Sequence, residues 1–307
     1  MDRILEKKLV DFLNLKKIEF YKKLSLKQYN TYKTGGDADI AVFPNSPEKL
    51  KAVFSFCSTN KIPFYVLGGG ANVIVSDKGV KGVVCITTGL NKVWIKHGKV
   101  FAQSGVSLEK LSLFAAENGL SGFEFAYNIP GTVGGALIMN AGNNYGEFSE
   151  ITCYVRAING NGKEFVFPNK LCQFGYRHSV FKKRGFVILD ACFVARKTQN
   201  KDSIFSLMEK IKKERESKFP LEYPNAGSVF KRPEGYYAGK LIEDAGCGGL
   251  KVGGAMVSEK HKGFIVNLGD ATSEDIKNLI ALVQKKVYDK FGVKLEREQI
   301  FFPEDFS

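Results

Sequence analysis

The chain has 307 residues, 44% of them hydrophobic and 25% charged, which is enough apolar material for two or three buried cores and excludes a disordered or fibrous chain. Lysine and arginine exceed aspartate and glutamate by 13 (45 − 32), so anionic partners such as nucleotides, phosphates or carboxylates are favoured, with a solvated basic surface as the plain alternative. No apolar run approaches the roughly 18 residues of a membrane span, and the first twenty residues lack the apolar core and small-residue cleavage site of a signal peptide. The six cysteines form no C-x-x-C pair and do not space with the three histidines, so neither a metal site nor a disulfide framework is expected, and a cytoplasmic, reducing location fits.

The N-terminal stretch MDRILEKKLVDFLNLKKIEF alternates apolar and charged residues at helical spacing. Ser46-Pro47 is a cap and first-turn pair, and Leu50, Val53, Phe54 and Cys57 follow on one helical face. IPFYVLGGGANVIVSD reads as strand, glycine turn, strand. Ser107 opens a helix carrying Leu108, Leu111 and Phe114, which Asn118-Gly119 ends. The glycine cluster NIPGTVGGALIMNAG comes next, then two strands in EITCYVRAI and GFVILDACFVA. SIFSLMEKIKKERESKF is an amphipathic helix, and a longer one from about Ser273 carries Ile276, Leu279, Ile280, Val283 and Val287. The whole reads as α+β, divided at residues 1–95, 96–200 and 201–307.

Gly68, Gly69 and Gly70 let backbone N–H groups converge on an anion with no Cβ in the way. The loop is not a Rossmann loop, because Val73 stands where a third glycine belongs and β-branched residues follow; a plain hairpin turn is the alternative. Gly131, Gly134 and Gly135 precede a short apolar helical stretch, a second place for a phosphate or a flat ring, or simply for close helix–strand packing. Two such loops in a basic chain suggest a dinucleotide. Arg177, in FGYRHSVFK, is a planar cation suited to a carboxylate or diphosphate, or to a surface ion pair. Ser228, in YPNAGSVFKRP, reads locally as a loop serine. Glu296 and Glu298 share one side of an alternating stretch, FGVKLEREQIFF. No histidine makes a nucleophilic triad and NAGSVF is not a nucleophile elbow, so a hydrolase is poorly supported. Aromatic residues are not interleaved with basic ones, which argues against nucleic acid.

Taken in order, NTYKTGG, YVLGGGANVIVSDKGVKGVV, IPGTVGGALIMNAG, YRHSVFK, NAGSVFKRP, AGKLIEDAG, KVGGAMVS and GVKLERE resemble the UDP-N-acetylenolpyruvoylglucosamine reductase family, from about Tyr29 to Ile300. The resemblance implies FAD held by two subdomains of the PCMH/vanillyl-alcohol-oxidase type, with a C-terminal α+β substrate-binding domain. It implies NADPH as co-substrate and reduction of an enolpyruvyl UDP-sugar to UDP-N-acetylmuramate for peptidoglycan synthesis. Another FAD-dependent oxidoreductase of the same fold is the alternative.

The FAD contacts it implies fall on Gly68, Gly69, Gly70, Ala71 and Asn72, and on Gly131, Thr132, Gly134, Gly135, Asn140 and Gly142. By the same resemblance Ser228 matches the serine of the family's Ala-Gly-Ser motif and would donate a proton. Arg177 and Glu298 would stabilise the substrate carboxylate, and Glu298 can do so only when protonated or acting through water or another donor. Arg215, Lys218, Lys231 and Arg232 are further expected substrate contacts. A monomer without metal is expected. The spacing from Arg177 to Ser228, 51 positions (228 − 177), resembles the type II branch, which lacks an extra substrate-capping loop. Three departures stand out: Ala71 where a serine is usual, Tyr127-Asn128 where small residues are common, and Gln299-Ile300 where Val-Arg usually follows the glutamate.

Overall fold

The computed structural model describes residues 3–182, 185–198 and 200–306. The chain divides into two compact units. The first is Met1–Lys23, Asp39–Gly69 and Lys81–Lys213, and the second is Leu24–Ala38, Gly70–Val80 and Glu214–Ser307.

In the first unit, the helix Arg3–Leu15 stops sooner than the helical spacing of the sequence extends. Lys17 turns to φ 51 and Ile18 N–H reaches back to Leu13 O at 2.9 Å, a left-handed closure that releases Glu19–Ser25 to form a strand. That strand begins a four-stranded sheet ordered Glu19–Ser25, Asp37–Phe43, Val80–Ile86, Phe64–Leu67. The helix Pro47–Thr59 forms as its cap predicts, with Ser46 Oγ accepting from Lys49 N–H at 3.3 Å. Its Leu50, Val53 and Cys57 are fully buried in one core with Ile40, Val42 and Val83.

Five antiparallel strands make the second sheet of this unit, in the order Glu164–Pro168, Thr152–Asn159, Phe186–Phe193, Lys99–Gln103, Val93–Lys96. The helices Leu108–Glu117 and Val133–Met139 share its core through Leu108, Leu111, Val133 and Leu137. Removing Cys57 and Cys172 from water pushes their thiols up to about 12, so both remain protonated, apolar core groups.

In the second unit, the antiparallel strands Lys251–Val252, Ala255–Val257 and Ile265–Asn267 share a core with the helix Ser273–Phe291. All five residues of its expected stripe, Ile276 to Val287, are buried. Ile300–Phe302 lies parallel to Val73–Val75, a pairing across more than two hundred residues of chain.

A capping box starts the long helix: Asp275 N–H donates to Thr272 Oγ1 at 3.0 Å and Thr272 N–H to Asp275 Oδ2 at 2.9 Å. Those bonds hold the Asp275 carboxyl below its ordinary value. Thr272→Ala is expected to lower unfolding free energy by about 1 kcal/mol, checked by urea denaturation at neutral pH. Among the described residues, no helix is long and apolar enough to cross a membrane, and no cluster of His, Cys, Asp and Glu could hold a metal ion.

Candidate active site

The two glycine loops meet within the first unit. A Cβ on Gly68 would overlap Thr132 Oγ1, and one on Gly69 would lie 2.9 Å from Gly131 Cα. The absence of side chains is therefore what lets the loops approach each other. Gly70, in the second unit, has a narrower reason to be glycine: it sits at φ +62, and a Cβ there would overlap Tyr29 O.

Gly134 packs against Ser104, its N–H donating to Ser104 O at 2.8 Å. Gly135 is exposed on the same short helix, and Thr132 occupies the cap position without using its hydroxyl as a cap. Thr132 Oγ1, Ser104 Oγ and Asn128 Nδ2 are buried with no hydrogen-bond partner. Buried polar atoms are nearly always paired, so two orphans on the glycine-rich stretch and a third on Ser104, which packs against its Gly134, mark where a polar ligand belongs. Uncharged donors beside two Cβ-free loops suit a flavin dinucleotide, with its diphosphate and its flat ring. The residues present fit FAD.

Asn128, one of the sequence departures, adopts φ 63, a left-handed backbone that asparagine tolerates better than most side chains. Ser104 carries no motif signal in the sequence, and Asn128 stands out there only as a departure from the motif, not as a flavin contact.

Arg177 lies in a tight turn. His178 N–H donates to Gly175 O at 3.1 Å, and of the two central residues only Arg177 has positive φ, at 52. That is the type II pattern, which favours glycine at this position. A bulky residue held there marks a constrained, functional candidate.

Its Nη2 donates to Gly142 O at 3.2 Å, and the guanidinium carbon stands 5.1 Å from the Tyr176 ring. Asn140, fully buried at φ 44, braces the same turn. Its Nδ2 donates to Gly175 O at 3.1 Å and to Glu147 Oε1 at 2.9 Å, and its Oδ1 accepts from Ser149 N–H at 2.8 Å. The structure thus brings Asn140, Gly142 and Arg177 together.

The second unit holds the other cluster. Ser228 is exposed between the half-buried Gly227 and the buried Val229 and Phe230. Its segment lies beside the C-terminal segment: Glu298 N–H donates to Val229 O at 2.8 Å, and Phe230 pairs with Arg297. On the other side, Ser228 pairs with Phe264. Among residues 294–298 there is only the isolated bridge at Arg297, and the strand proper starts at Ile300, later than the alternation suggests.

Asn72 joins this cluster. Its Nδ2 donates to Glu298 O at 3.3 Å, and its own carbonyl accepts from Ile300 N–H at 2.9 Å. Ala71 lies beside it in the second unit, half-buried.

The basic residues are also spoken for. Lys231 pairs with Glu296, Lys218 with Glu214 at 3.7 Å, and the Arg232 guanidinium lies 4.0 Å over the Tyr237 ring. Arg215 stands 5.1 Å from the Phe219 ring, and burial lowers its pKa from the ordinary value.

His261 packs edge-on against Phe264 and Phe219, at 4.9 and 5.2 Å between ring centres. Burial holds its pKa below the ordinary 6.5. In unfolded chain the ring takes up a proton near that ordinary value, while in the fold it does so only at lower pH. Its contribution to stability is therefore present above about pH 6.5 and is lost as pH falls through the folded value. His261→Phe should flatten the decline in unfolding free energy between about pH 7 and 5, relative to the native chain, in parallel urea titrations.

Comparison with known proteins gives these clusters a class. Residues 38–167 match the FAD binding domain family, and residues 219–302 match the C-terminal domain of UDP-N-acetylenolpyruvoylglucosamine reductase. The reductase of that name from Clostridium novyi is 45% identical over 294 residues, 96% of this chain and 95% of that protein. The one from Caldanaerobacter subterraneus subsp. tengcongensis is 42% identical over 94% of this chain and 96% of its own. The crystal structure of the Thermus caldophilus reductase superposes with a TM-score of 0.78 at 32% identity, covering 92% of this chain and 98% of that one. The chain is an FAD-containing oxidoreductase of α+β fold. It belongs to the UDP-N-acetylenolpyruvoylglucosamine reductase family.

Proposed function

We propose that this chain reduces the enolpyruvyl group of UDP-N-acetylenolpyruvoylglucosamine to the lactyl ether of UDP-N-acetylmuramate, with NADPH as reductant, in the cytoplasmic synthesis of peptidoglycan precursors. FAD, when bound, would supply the hydride-transfer chemistry between NADPH and the terminal carbon of the substrate double bond. Gly68, Gly69, Gly131 and Thr132 would hold it, with Ser104 and Asn128 as further donors.

Addition at the terminal carbon leaves the neighbouring carbon as an enolate conjugated to the carboxylate. Arg177 stabilises that charge directly, because its guanidinium offers fixed, permanently charged donors. Glu298 assists in its protonated form, or through water. Ser228 Oγ–H then protonates the carbon. A serine hydroxyl is a weak acid, and an enolate carbon is basic enough to take its proton. No covalent bond to Ser228 forms. Arg215, Lys218, Lys231 and Arg232 supply positive charge for the diphosphate, Lys231 by exchanging its partner Glu296.

The observation that carries this reading is the Ser228 segment: an exposed serine between the half-buried Gly227 and the buried Val229, tied by the Val229 carbonyl to the backbone of Glu298. The test is spectroscopic. Purified protein should be yellow, should bleach anaerobically with NADPH, and should recover its visible band when the enolpyruvyl sugar is added. Recovery with oxygen but not with the sugar would instead indicate a flavin oxidase.

A further inference from the structure

Gln299 follows Glu298 directly and is 1% exposed, and Tyr32, on the segment Leu24–Ala38 of the same unit, is 0% exposed. Tyr32 Oη donates to Gln299 Oε1 at 3.1 Å. Gln299 Nε2 donates to Ala226 O at 3.1 Å and to Gly227 O at 3.2 Å. Two carbonyl oxygens can only accept, so the amide nitrogen must face them. That leaves Oε1 for the tyrosine hydroxyl, and the hydrogen-bonding needs of the surroundings fix the amide orientation. Burial raises the Tyr32 phenol above its ordinary value, which keeps it a donor. Tyr32 is anchored in turn through its carbonyl, which accepts from Asn267 Nδ2 at 2.8 Å.

The two carbonyls held by Gln299 are those just before Ser228. The Gly227 carbonyl and the Ser228 N–H belong to one planar peptide group, so fixing that oxygen fixes the direction in which Ser228 leaves the turn. Gly227 needs such a restraint. It has φ +75 and no side chain, and a Cβ there would meet nothing within 4 Å. Among the described residues its other tie is its N–H, which donates to Asn225 Oδ1 at 3.1 Å. Beyond Ser228, the Val229 N–H donates to Gly263 O at 2.9 Å. Ser228 therefore stands between two held peptide planes, and the upstream one is held by a side chain.

We propose that Gln299, oriented by Tyr32, is a positioning residue for Ser228: it clamps the Ala226 and Gly227 carbonyls so that the serine hydroxyl is presented in one direction for proton transfer. The inference rests on the proton-donor reading of Ser228. An apolar residue at 299 would leave two carbonyls and a phenol without their partners in a buried place, and the turn would relax to satisfy them. A displacement of about 1 Å at a reacting group is enough to cost about 100-fold in rate.

The test uses holoenzyme whose flavin has been reduced with NADPH, mixed anaerobically with the enolpyruvyl sugar. Gln299→Leu should slow flavin reoxidation about 10- to 100-fold and leave flavin reduction by NADPH at the native rate. Tyr32→Phe, a milder change that keeps the ring, should slow the same step about fivefold, the equivalent of one neutral hydrogen bond. Because Gln299 acts through Ser228, the pair Ser228→Ala/Gln299→Leu should be no slower than Ser228→Ala alone. Three outcomes would overturn the inference: native reoxidation in Gln299→Leu, equal losses in both half-reactions, or a double variant whose loss is the product of the single ones. Ser228→Ala alone separates the two readings. If it reoxidises at the native rate, the proton-donor role falls; if it is slow while Gln299→Leu is native, only the positioning role falls.

Discussion

Ser228→Ala is expected to accept reducing equivalents from NADPH at the native rate and then to return them to the enolpyruvyl sugar about 10²- to 10⁴-fold more slowly, the usual contribution of a positioned general acid. The separation follows from where the proton is needed. In the proposed mechanism, reduction of the flavin by NADPH requires nothing from the serine, whereas the substrate enolate would wait for its hydroxyl. The replacement is also mild for the fold: Ser228 is exposed, and the backbone at 229–230 remains tied to 297–298 and 263 whatever the side chain at 228. Stopped-flow absorbance of the two half-reactions measures both rates in one preparation. Equal losses in the two would remove the proton-donor role.

Gly68→Ala is expected to keep the fold and to weaken FAD about 10- to 100-fold. The added methyl overlaps the buried Thr132 Oγ1, which must rotate away from the loop if the two segments are to stay together. The displaced hydroxyl is one of the three orphaned buried donors, and losing a hydrogen bond to a charged group such as a diphosphate is worth about 1.5–3 kcal/mol. The quenching of free flavin fluorescence on titration with apoprotein measures the affinity, and a thermal melt of the apoprotein checks the fold. Unchanged affinity would place the flavin elsewhere.

Local features were legible in the sequence, and long-range partnerships were not. The helices at Pro47–Thr59, Leu108–Glu117 and Ser273–Phe291 announce themselves by cap residues and one-sided stripes, because those signals act within one or two turns. The two glycine clusters stand out for a similar reason, since backbone approach needs the residue itself.

Nothing local says that Val73–Val75 pairs with Ile300–Phe302, or that residues 24–38 and 70–80 pack with the C-terminal third. Asn72 shows the consequence. Read beside Gly70 it belongs to a flavin loop, yet its amide nitrogen is spent on the carbonyl of Glu298. Gln299 registers in the sequence only as a departure from a motif. Its buried partners come from 73, 72 and 267 positions away (299 − 226, 299 − 227 and 299 − 32), and only the folded chain assembles them. Arg177, conversely, was visible as a residue type, but not the left-handed turn that constrains it.

One experiment bears most directly on the central reading. Holoenzyme reduced with one equivalent of NADPH is mixed without oxygen with one equivalent of the enolpyruvyl UDP-sugar, and the quenched mixture is weighed by mass spectrometry as the flavin band returns. The account predicts that the band recovers while the sugar gains two hydrogens, mole for mole. A flavin that stays reduced, or one that reoxidises while the sugar keeps its original mass, would contradict it.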